Sequence, residues 1–332
     1  MIDEIDNIEY GELIKNFITL LTDNFVSRLE LESIKKKEKL NAIILTGSFA
    51  SWLKGNKQHQ PSWKVVPDVN YYLLIKGSEE DIIYFGHLLY VSINETIRDV
   101  SKNSRYNYNV VLDLHPFSIS PSKPLFRKDI INIQLTTRVI NIAQKNLYPD
   151  YSWYGWYINH IVVYPKNYPK EKIPLFDCPQ LERNKIWLRN MYLALLSYGN
   201  VLQVLPLYTS DKEHIIFEVY RYLKEIVKDG ISLALTNEEF KNGKLYEIIS
   251  QWKDKSIDLY KERYGKEAAE IVELLIQMEK NYLTYVKRCN NPVELIAKAI
   301  KLRNIVFEKG LKARIKEIDP ENKIFMDLPW WW

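Results

Sequence analysis

The chain of 332 residues is 46% hydrophobic and 27% charged, which excludes a disordered protein and predicts two domains of ordinary globular composition. Its 46 basic and 42 acidic residues leave a net charge of +4, too small to indicate a nucleic-acid-binding protein. Two cysteines, Cys178 and Cys289, are too few for a disulfide framework or a cysteine-based zinc site. The acidic start has no secretory signal and no apolar run nears the ~20 residues of a membrane span, so we expect a soluble, cytoplasmic protein.

In the first half of the chain, hydrophobic spacing predicts helices that alternate with short apolar strands. The predicted helices cover residues 10–30, 48–53, 79–100 and 128–146. The predicted strands cover residues 42–46, 69–75, 109–114 and 158–164. This order predicts a sheet with helices, in a domain at residues 1–165.

The second half of the chain has a different composition. Four prolines between residues 165 and 179 indicate a linker. Beyond them the spacing predicts five helices, with Gly265 as a candidate break in the fourth, at residues 180–203, 212–228, 237–252, 255–289 and 292–316. We therefore predict an α+β fold class, in which an all-α helical bundle at residues 180–332 follows the sheet domain.

Polar residues stand at the ends of three predicted strands. Gly47 and Ser48 follow the first strand and open a helix, Asp68 and Asn70 begin the second strand, and Asp113 lies inside the third. Because Asp68 and Asn70 are two residues apart, their side chains point to one face of the sheet. If the strands are neighbours, Asp113 joins them on one patch beside the Gly-Ser turn.

Such a patch suits phosphoryl chemistry. Carboxylate oxygens are hard ligands for Mg²⁺, and two metal ions can clamp the attacking and leaving oxygens of an in-line displacement. A glycine at a helix start lets backbone N–H groups approach a phosphate closely. Each part has a plainer explanation as well, since a Gly-Ser pair is most often a simple turn and Asp68, after Pro67, can merely start a strand. Asp113 is less easily explained, because an acid between Leu112 and Leu114 needs a partner or a function.

The ordered combination resembles the nucleotidyltransferase superfamily typified by DNA polymerase beta. The residues that carry the resemblance lie between positions 40 and 115 and read Leu45-Thr46-Gly47-Ser48-Phe49, Pro67-Asp68-Val69-Asn70 and Val111-Leu112-Asp113-Leu114. A sheet domain followed by helices is also similar to the small-molecule nucleotidyltransferases, including antibiotic-modifying ones, and to their minimal toxin–antitoxin relatives. The resemblance implies a nucleotidyltransferase-like mixed sheet ahead of the helical bundle.

The resemblance also implies an activity and a role for each matching residue. Such an enzyme transfers a nucleoside monophosphate from a nucleoside triphosphate, such as ATP, to a hydroxyl group with the help of Mg²⁺. Gly47 and Ser48 would hold the triphosphate, Asp68 would bridge two metal ions, and Asp113 would bind the catalytic metal and help to deprotonate the acceptor hydroxyl. The acceptor stays open between a small molecule, an RNA and a protein.

The chain departs from the family pattern at two places. Asn70 stands where the family has a second acid; its amide oxygen can bind Mg²⁺ but carries no charge, so catalysis is weakened, shifted toward one metal ion, or lost. The alternative function is therefore a catalytically eroded nucleotide-binding or interaction module of the same fold. The segment between Ser48 and Asp68 is also longer than the family pattern, and it is either a specificity loop or a solvated loop.

Three features outside the patch complete the sequence-based hypotheses. Lys185 and Arg189 are i, i+4 neighbours on a predicted helix, and the resemblance makes them candidate nucleotide contacts. His115, two residues after Asp113, is either a phosphate contact or a structural histidine. The terminal tryptophans Trp330–Trp332 would expose a large apolar patch to water, which favours docking on this chain or in a homo-oligomer.

Overall fold

The computed structural model describes most of the chain, namely residues 7–32, 34–55, 67–113, 119–127, 129–142, 160–165, 185–242 and 252–321, together with residues 183, 244, 248 and 323. The chain divides into two compact units. Within the described part, nearly all residues up to 165 belong to the first unit, and the residues from 183 onward belong to the second. His115, the segment at 56–66 and the tail at Trp330–Trp332 lie outside the described residues, so the hypotheses about them stay predictions.

The first unit alternates helices and strands. Its helices are α1 (Asn7–Glu32), α2 (Ile34–Lys37), α3 (Gly47–Leu53) and α4 (Glu79–Asn103). Its strands are β1 (Leu40–Thr46), β2 (Asp68–Ile75), β3 (Asn107–Asp113), β4 (Ile130–Asn141) and β5 (Ile161–Tyr164). Apart from β4, each of these strands and the three longer helices lie where the hydrophobic spacing predicts them.

The five strands form one mixed sheet in the order β3-β4-β2-β1-β5. Strand β4 pairs in parallel with both β2 and β3, whereas β1 runs antiparallel to both β2 and β5. The predicted mixed sheet with helices is therefore confirmed. The supposition that β2 and β3 are direct neighbours is wrong, because β4 lies between them.

The prediction of a helix at residues 128–146 is wrong, since Ile130–Asn141 is the strand β4. Its side chains alternate between two faces. Ile131, Ile133 and Leu135 belong to the apolar core, and the residues between them are polar. Because Ile131 and Leu135 are four residues apart, the same apolar positions also match a helical period, which caused the error.

The two faces of the sheet differ in chemistry. On one face, alternate strand residues such as Tyr71 and Leu73 pack with Phe17 and Leu21 of α1 and with Phe85 of α4, and they form the core of the first unit. The opposite face carries a row of buried polar side chains, which are Asn132, Gln134 and Thr136 of β4 and Asp113 of β3. Buried polar groups need hydrogen-bond partners, so the side chains of this face are held by hydrogen bonds as well as by apolar packing.

The Tyr10 hydroxyl of α1 forms hydrogen bonds with the part of β4 that extends beyond β2. Strand β4 extends beyond the start of β2, whose pairing begins at Gln134. At Asn132 the Tyr10 hydroxyl provides the hydrogen bonds that a neighbouring strand would otherwise provide. It donates to the Asn132 carbonyl oxygen at 3.0 Å and accepts from the Asn132 N–H at 2.9 Å. Burial raises the pKa of this hydroxyl well above its ordinary value, so it stays protonated and able to donate.

We therefore expect Tyr10→Phe to lower the free energy of unfolding, although the ring and its packing are retained. Each buried backbone group left without a partner costs about 1–3 kcal/mol. This change removes the partner of both the N–H and the C=O of Asn132. Denaturant unfolding measures the effect. The control is Tyr90→Phe on the exposed side of α4, which should stay within about 0.5 kcal/mol of the parent. Equal midpoints for the two variants would contradict the role given to Tyr10.

The described residues of the second unit form helices. They are α5 (Lys185–Tyr208), α6 (Lys212–Ala234), α7 (Asn237–Lys241), α8 (Trp252–Arg263), α9 (Lys266–Lys280), α10 (Tyr282–Arg288), α11 (Pro292–Ile305) and α12 (Lys312–Ile318), with a π-helical turn at Val306–Leu311 between the last two. The break predicted at Gly265 is confirmed: its φ of 101° is a conformation that glycine adopts without strain. A second break, at Asn281, was not predicted.

Two other predicted helices differ in extent from the observed ones. The helix predicted at 180–203 runs on to Tyr208 through Pro206, and the one predicted to end at 228 continues to Ala234. Of the helix predicted at 237–252, the structure describes Asn237–Lys241 as one continuous element. In the part of the chain that the structure describes, no helix is both long enough and apolar enough to cross a membrane.

Candidate active site

Two carboxylates approach each other from strands that do not touch. Asp68 is the first residue of β2 and Asp113 is the last residue of β3, and β4 separates the two strands. The register aligns Asp68 with Gln134 and Asp113 with Thr136. Since aligned residues of neighbouring strands project to the same face, β4 brings both carboxylates over its own polar row.

The side chains of β4 connect the two acids. The Thr136 hydroxyl lies 2.9 Å from Asp68 Oδ1 and 3.3 Å from Asp113 Oδ2. Gln134 donates its amide N–H to the same Asp113 Oδ2 at 3.1 Å. A threonine hydroxyl has one proton and can donate to only one acceptor at a time. The two carboxylates therefore share one donor, and Asp113 has a second donor of its own.

The site is partly removed from water. Asp113 is 3% exposed and Thr136 is 5% exposed, while Asp68 is half-buried. Burial of a carboxylate is costly unless hydrogen bonds or a cation compensate for the lost hydration. The donors from Gln134 and Thr136 supply part of that compensation. Two acids held together at this depth form a centre of negative charge to which a cation would be attracted.

Asn70 lies on the same face as Asp68, and its amide group has a defined orientation. Its Oδ1 accepts a hydrogen bond from the Tyr72 hydroxyl at 2.9 Å. Its Nδ2 lies against Gly47, where an added Cβ atom would come within 2.6 Å of it. The amide oxygen that the sequence suggested as a metal ligand is thus already engaged with Tyr72.

Gly47 forms the turn beside Asn70. Thr46, the last residue of β1, is aligned with Asn70, so the turn that follows lies next to that side chain. Gly47 has a φ of 76°, in the left-handed region that residues with a Cβ rarely adopt. Both this backbone conformation and the closeness of Asn70 require glycine here, and Ser48 follows it, half-buried, at the start of α3.

The two predicted basic residues lie in the second unit. Lys185 begins α5, and its Nζ lies 2.7 Å from Oδ1 of Asp319, a carboxylate that is 1% exposed. Arg189 lies one turn later on the same helix and is exposed. Lys185 therefore has a partner within its own unit, and contact of either residue with a nucleotide stays a prediction.

Sequence reasoning missed Thr136 and Gln134, because they lie in the segment that was predicted to be a helix. A signal was present, since apolar and polar residues alternate from Ile131 to Thr136. Within the described residues, no three His, Cys, Asp or Glu side chains cluster as potential metal ligands. The donor set of this site is instead two carboxylates and the amide of Asn70.

Comparison with known proteins adds no relative to this description. The chain matches no protein-family model, no curated protein and no solved structure.

Proposed function

We propose that this protein transfers a nucleoside monophosphate from a nucleoside triphosphate to a hydroxyl group by metal-assisted in-line displacement. One observation carries the proposal: Asp68 and Asp113, from strands on either side of β4, meet at the Thr136 hydroxyl. The Gly47-Ser48 turn, which follows β1 next to Asn70, supports the proposal further. The resemblance to polymerase-beta-like nucleotidyltransferases rests on the same residues and extends the proposal to the arrangement of the sheet and to a helical bundle after it.

The chemistry of the donor set fits Mg²⁺. This ion prefers oxygen ligands and is usually bound by one or two carboxylates together with substrate phosphates. Asp68 and Asp113 provide two carboxylates on one face of the sheet. Asn70 contributes an uncharged amide oxygen, which already accepts one hydrogen bond from Tyr72, so the third position adds no negative charge. The residues therefore suit one metal ion better than the two that the family uses.

In the proposed reaction, the acceptor oxygen attacks the α-phosphorus, the bond to the β-phosphate oxygen breaks, and pyrophosphate leaves. A bound Mg²⁺ supplies charge stabilisation for the phosphate oxygens. The carboxylate of Asp113 would take the proton from the attacking hydroxyl, and Asp68 would hold the metal ion. Backbone N–H groups at Gly47 and Ser48 bind the triphosphate. Lys185 and Arg189 are proposed as further nucleotide contacts from the resemblance alone, and a triphosphate substrate agrees with the predicted cytoplasmic location.

A second candidate function is a nucleotide-binding module that has lost catalysis. The hydrogen bond between Tyr72 and Asn70 favours it, because a site with two acids and an engaged amide can hold a metal–nucleotide complex without a full two-metal centre. Binding without turnover distinguishes this module from the enzyme.

We expect ATP with Mn²⁺ or Mg²⁺ to stabilise the protein against heat. A ligand that binds only the folded state adds RT ln(1 + [L]/Kd), which is about 2.7 kcal/mol at a hundredfold excess over Kd. The stabilisation should require the divalent ion, because the carboxylates would otherwise repel the phosphates. Thermal unfolding of the full chain measures it, and a coupled assay for pyrophosphate release, with a cell extract as the source of acceptors, tests turnover.

The control variant is Asp23→Asn, which removes an exposed acid of α1 and should leave the stabilisation intact. Stabilisation without pyrophosphate release would favour the binding module. If no nucleoside triphosphate stabilises the protein with either metal ion, the nucleotide proposal is wrong.

A further inference from the structure

The position of Thr136 between the two acids suggests a role for a residue outside the family pattern. Thr136 lies on β4, aligned with Asn70 of β2 on one side and with Asp113 of β3 on the other. We propose that Thr136 is a positioning residue, which holds the carboxylate of Asp68 beside Asp113 in the orientation that binds the metal ion. This inference rests on the proposed function, because it presumes a metal ion at these acids.

The donors around the acids divide between them. Asp113 Oδ2 accepts from Gln134 at 3.1 Å, so it does not depend on the Thr136 proton. The shorter contact of Thr136 is the one to Asp68 Oδ1, at 2.9 Å. With its single proton committed to Asp68, the hydroxyl engages one oxygen of that carboxylate and leaves the second oxygen as the candidate metal ligand.

The negative charges of Asp68 and Asp113 make the hydrogen bond from Thr136 necessary. Two carboxylates that share one contact repel each other, and without a restraint each would turn toward water. Thr136 is 5% exposed and is held in the middle of the sheet by strands on both sides, so its hydroxyl is a rigid reference point. A rigid donor lowers the cost of assembling the two ligands when the metal ion arrives.

Two other buried threonines have a different role. Thr22 and Thr96 donate to carbonyl oxygens of their own helices, at Ile18 and Ser92, as threonines in helices commonly do. Among the hydrogen bonds of the described residues, those of the Thr136 hydroxyl go only to Asp68 and Asp113, two side chains of the candidate site. Its neighbour Thr137 lies on the same strand with its side chain toward the opposite face, which provides a matched control.

The test compares Mn²⁺ binding by full-length variants, measured by titration calorimetry and by electron paramagnetic resonance, with and without ATP. Thr136→Val keeps the shape and the β-branched character of the side chain but removes the donor, so we expect Mn²⁺ affinity to fall about tenfold or more, the effect of losing a hydrogen bond to a charged group. Thr136→Ser keeps the hydroxyl and should bind Mn²⁺ within about threefold of the parent, by the same reasoning. Thr137→Val should bind like the parent.

If the role of Thr136 were purely structural, Thr136→Val would lower thermal stability, but Mn²⁺ affinity would not be lost in Thr136→Val and retained in Thr136→Ser. If Thr136→Val does not fold, Thr136→Ala is measured in its place, with the same expected loss. Parent-like Mn²⁺ affinity in the variant that lacks the hydroxyl would overturn the inference while leaving the proposed function standing. Failure of the parent itself to bind Mn²⁺, alone or with ATP, would overturn both.

Discussion

Asp113→Asn should lower the rate of nucleotidyl transfer by about 10²- to 10⁴-fold, the usual contribution of a general base. Asparagine keeps the shape of the side chain, and its oxygen can still accept from Gln134, so the fold should be retained. The amide cannot take up the proton of the acceptor hydroxyl, and it removes one of the two negative charges that attract the metal ion. The measurement is the initial rate of pyrophosphate release at saturating ATP and Mg²⁺.

The matching change at the other acid separates binding from chemistry. Asp68→Asn should abolish the metal-dependent stabilisation by ATP, because it removes the carboxylate that we propose as the main metal ligand. Asp23→Asn, an exposed acid on α1, serves as the control and should preserve both the rate and the stabilisation. Half of the parent rate in both Asp68→Asn and Asp113→Asn would refute the assignment of the site.

Gly230→Ala in α6 is expected to destabilise the second unit by about 2 kcal/mol or more, the range of an overpacked core. An added Cβ atom would lie 1.9 Å from the Tyr260 hydroxyl oxygen and 3.1 Å from a methyl group of Val306. Tyr260 is completely buried and donates to the Val227 carbonyl oxygen at 2.9 Å, so its ring cannot move aside without losing that hydrogen bond. This loss outweighs the gain of about 1 kcal/mol that alanine brings to a helix interior.

A second glycine provides the control for helix propensity. Gly86 lies within α4, and among the described residues no heavy atom from outside this helix lies within 4 Å of the position that its Cβ would take. Gly86→Ala should therefore stabilise the protein by about 0.5–1 kcal/mol. Denaturant unfolding of the two variants measures both effects. If both changes stabilise the protein, the close packing of Tyr260 on Gly230 does not constrain the second unit.

Strands β1 and β2, which lie beside the candidate site, were predictable from sequence because the residues of each fit only one period. Ala42–Thr46 and Val69–Ile75 are short runs of apolar residues that end at a glycine or begin at an acid, and a helix of that length would be unusual. The spacing of Asp68 and Asn70 also fixed their common face. Local sequence was sufficient to assign an element wherever the apolar residues fitted only the strand period of two or only the helical period of 3.6.

The sequence of strand β4, by contrast, fits both periods. Ile131, Leu135 and Val139 are spaced by four, a multiple of two that also lies close to the helical period of 3.6. Its polar positions resemble the solvated side of an amphipathic helix, although Gln134 and Thr136 are buried. Their hydrogen-bond partners Asp113 and Asp68 lie on neighbouring strands, so no local pattern reveals these contacts. Thr136 was missed for the same reason.

The central place of β4 also has a consequence for the order in which the protein acquires its function. On the ribosome, a nascent chain that ends at Asp113 contains β2 and β3, but the two strands share no edge and pair only through β4. Their parallel pairings join residues far apart in sequence, and such contacts form slowly because a long loop must close first. Both acids are thus synthesised before they can be brought together, and residues 130–141 complete the candidate site when they pair with both strands.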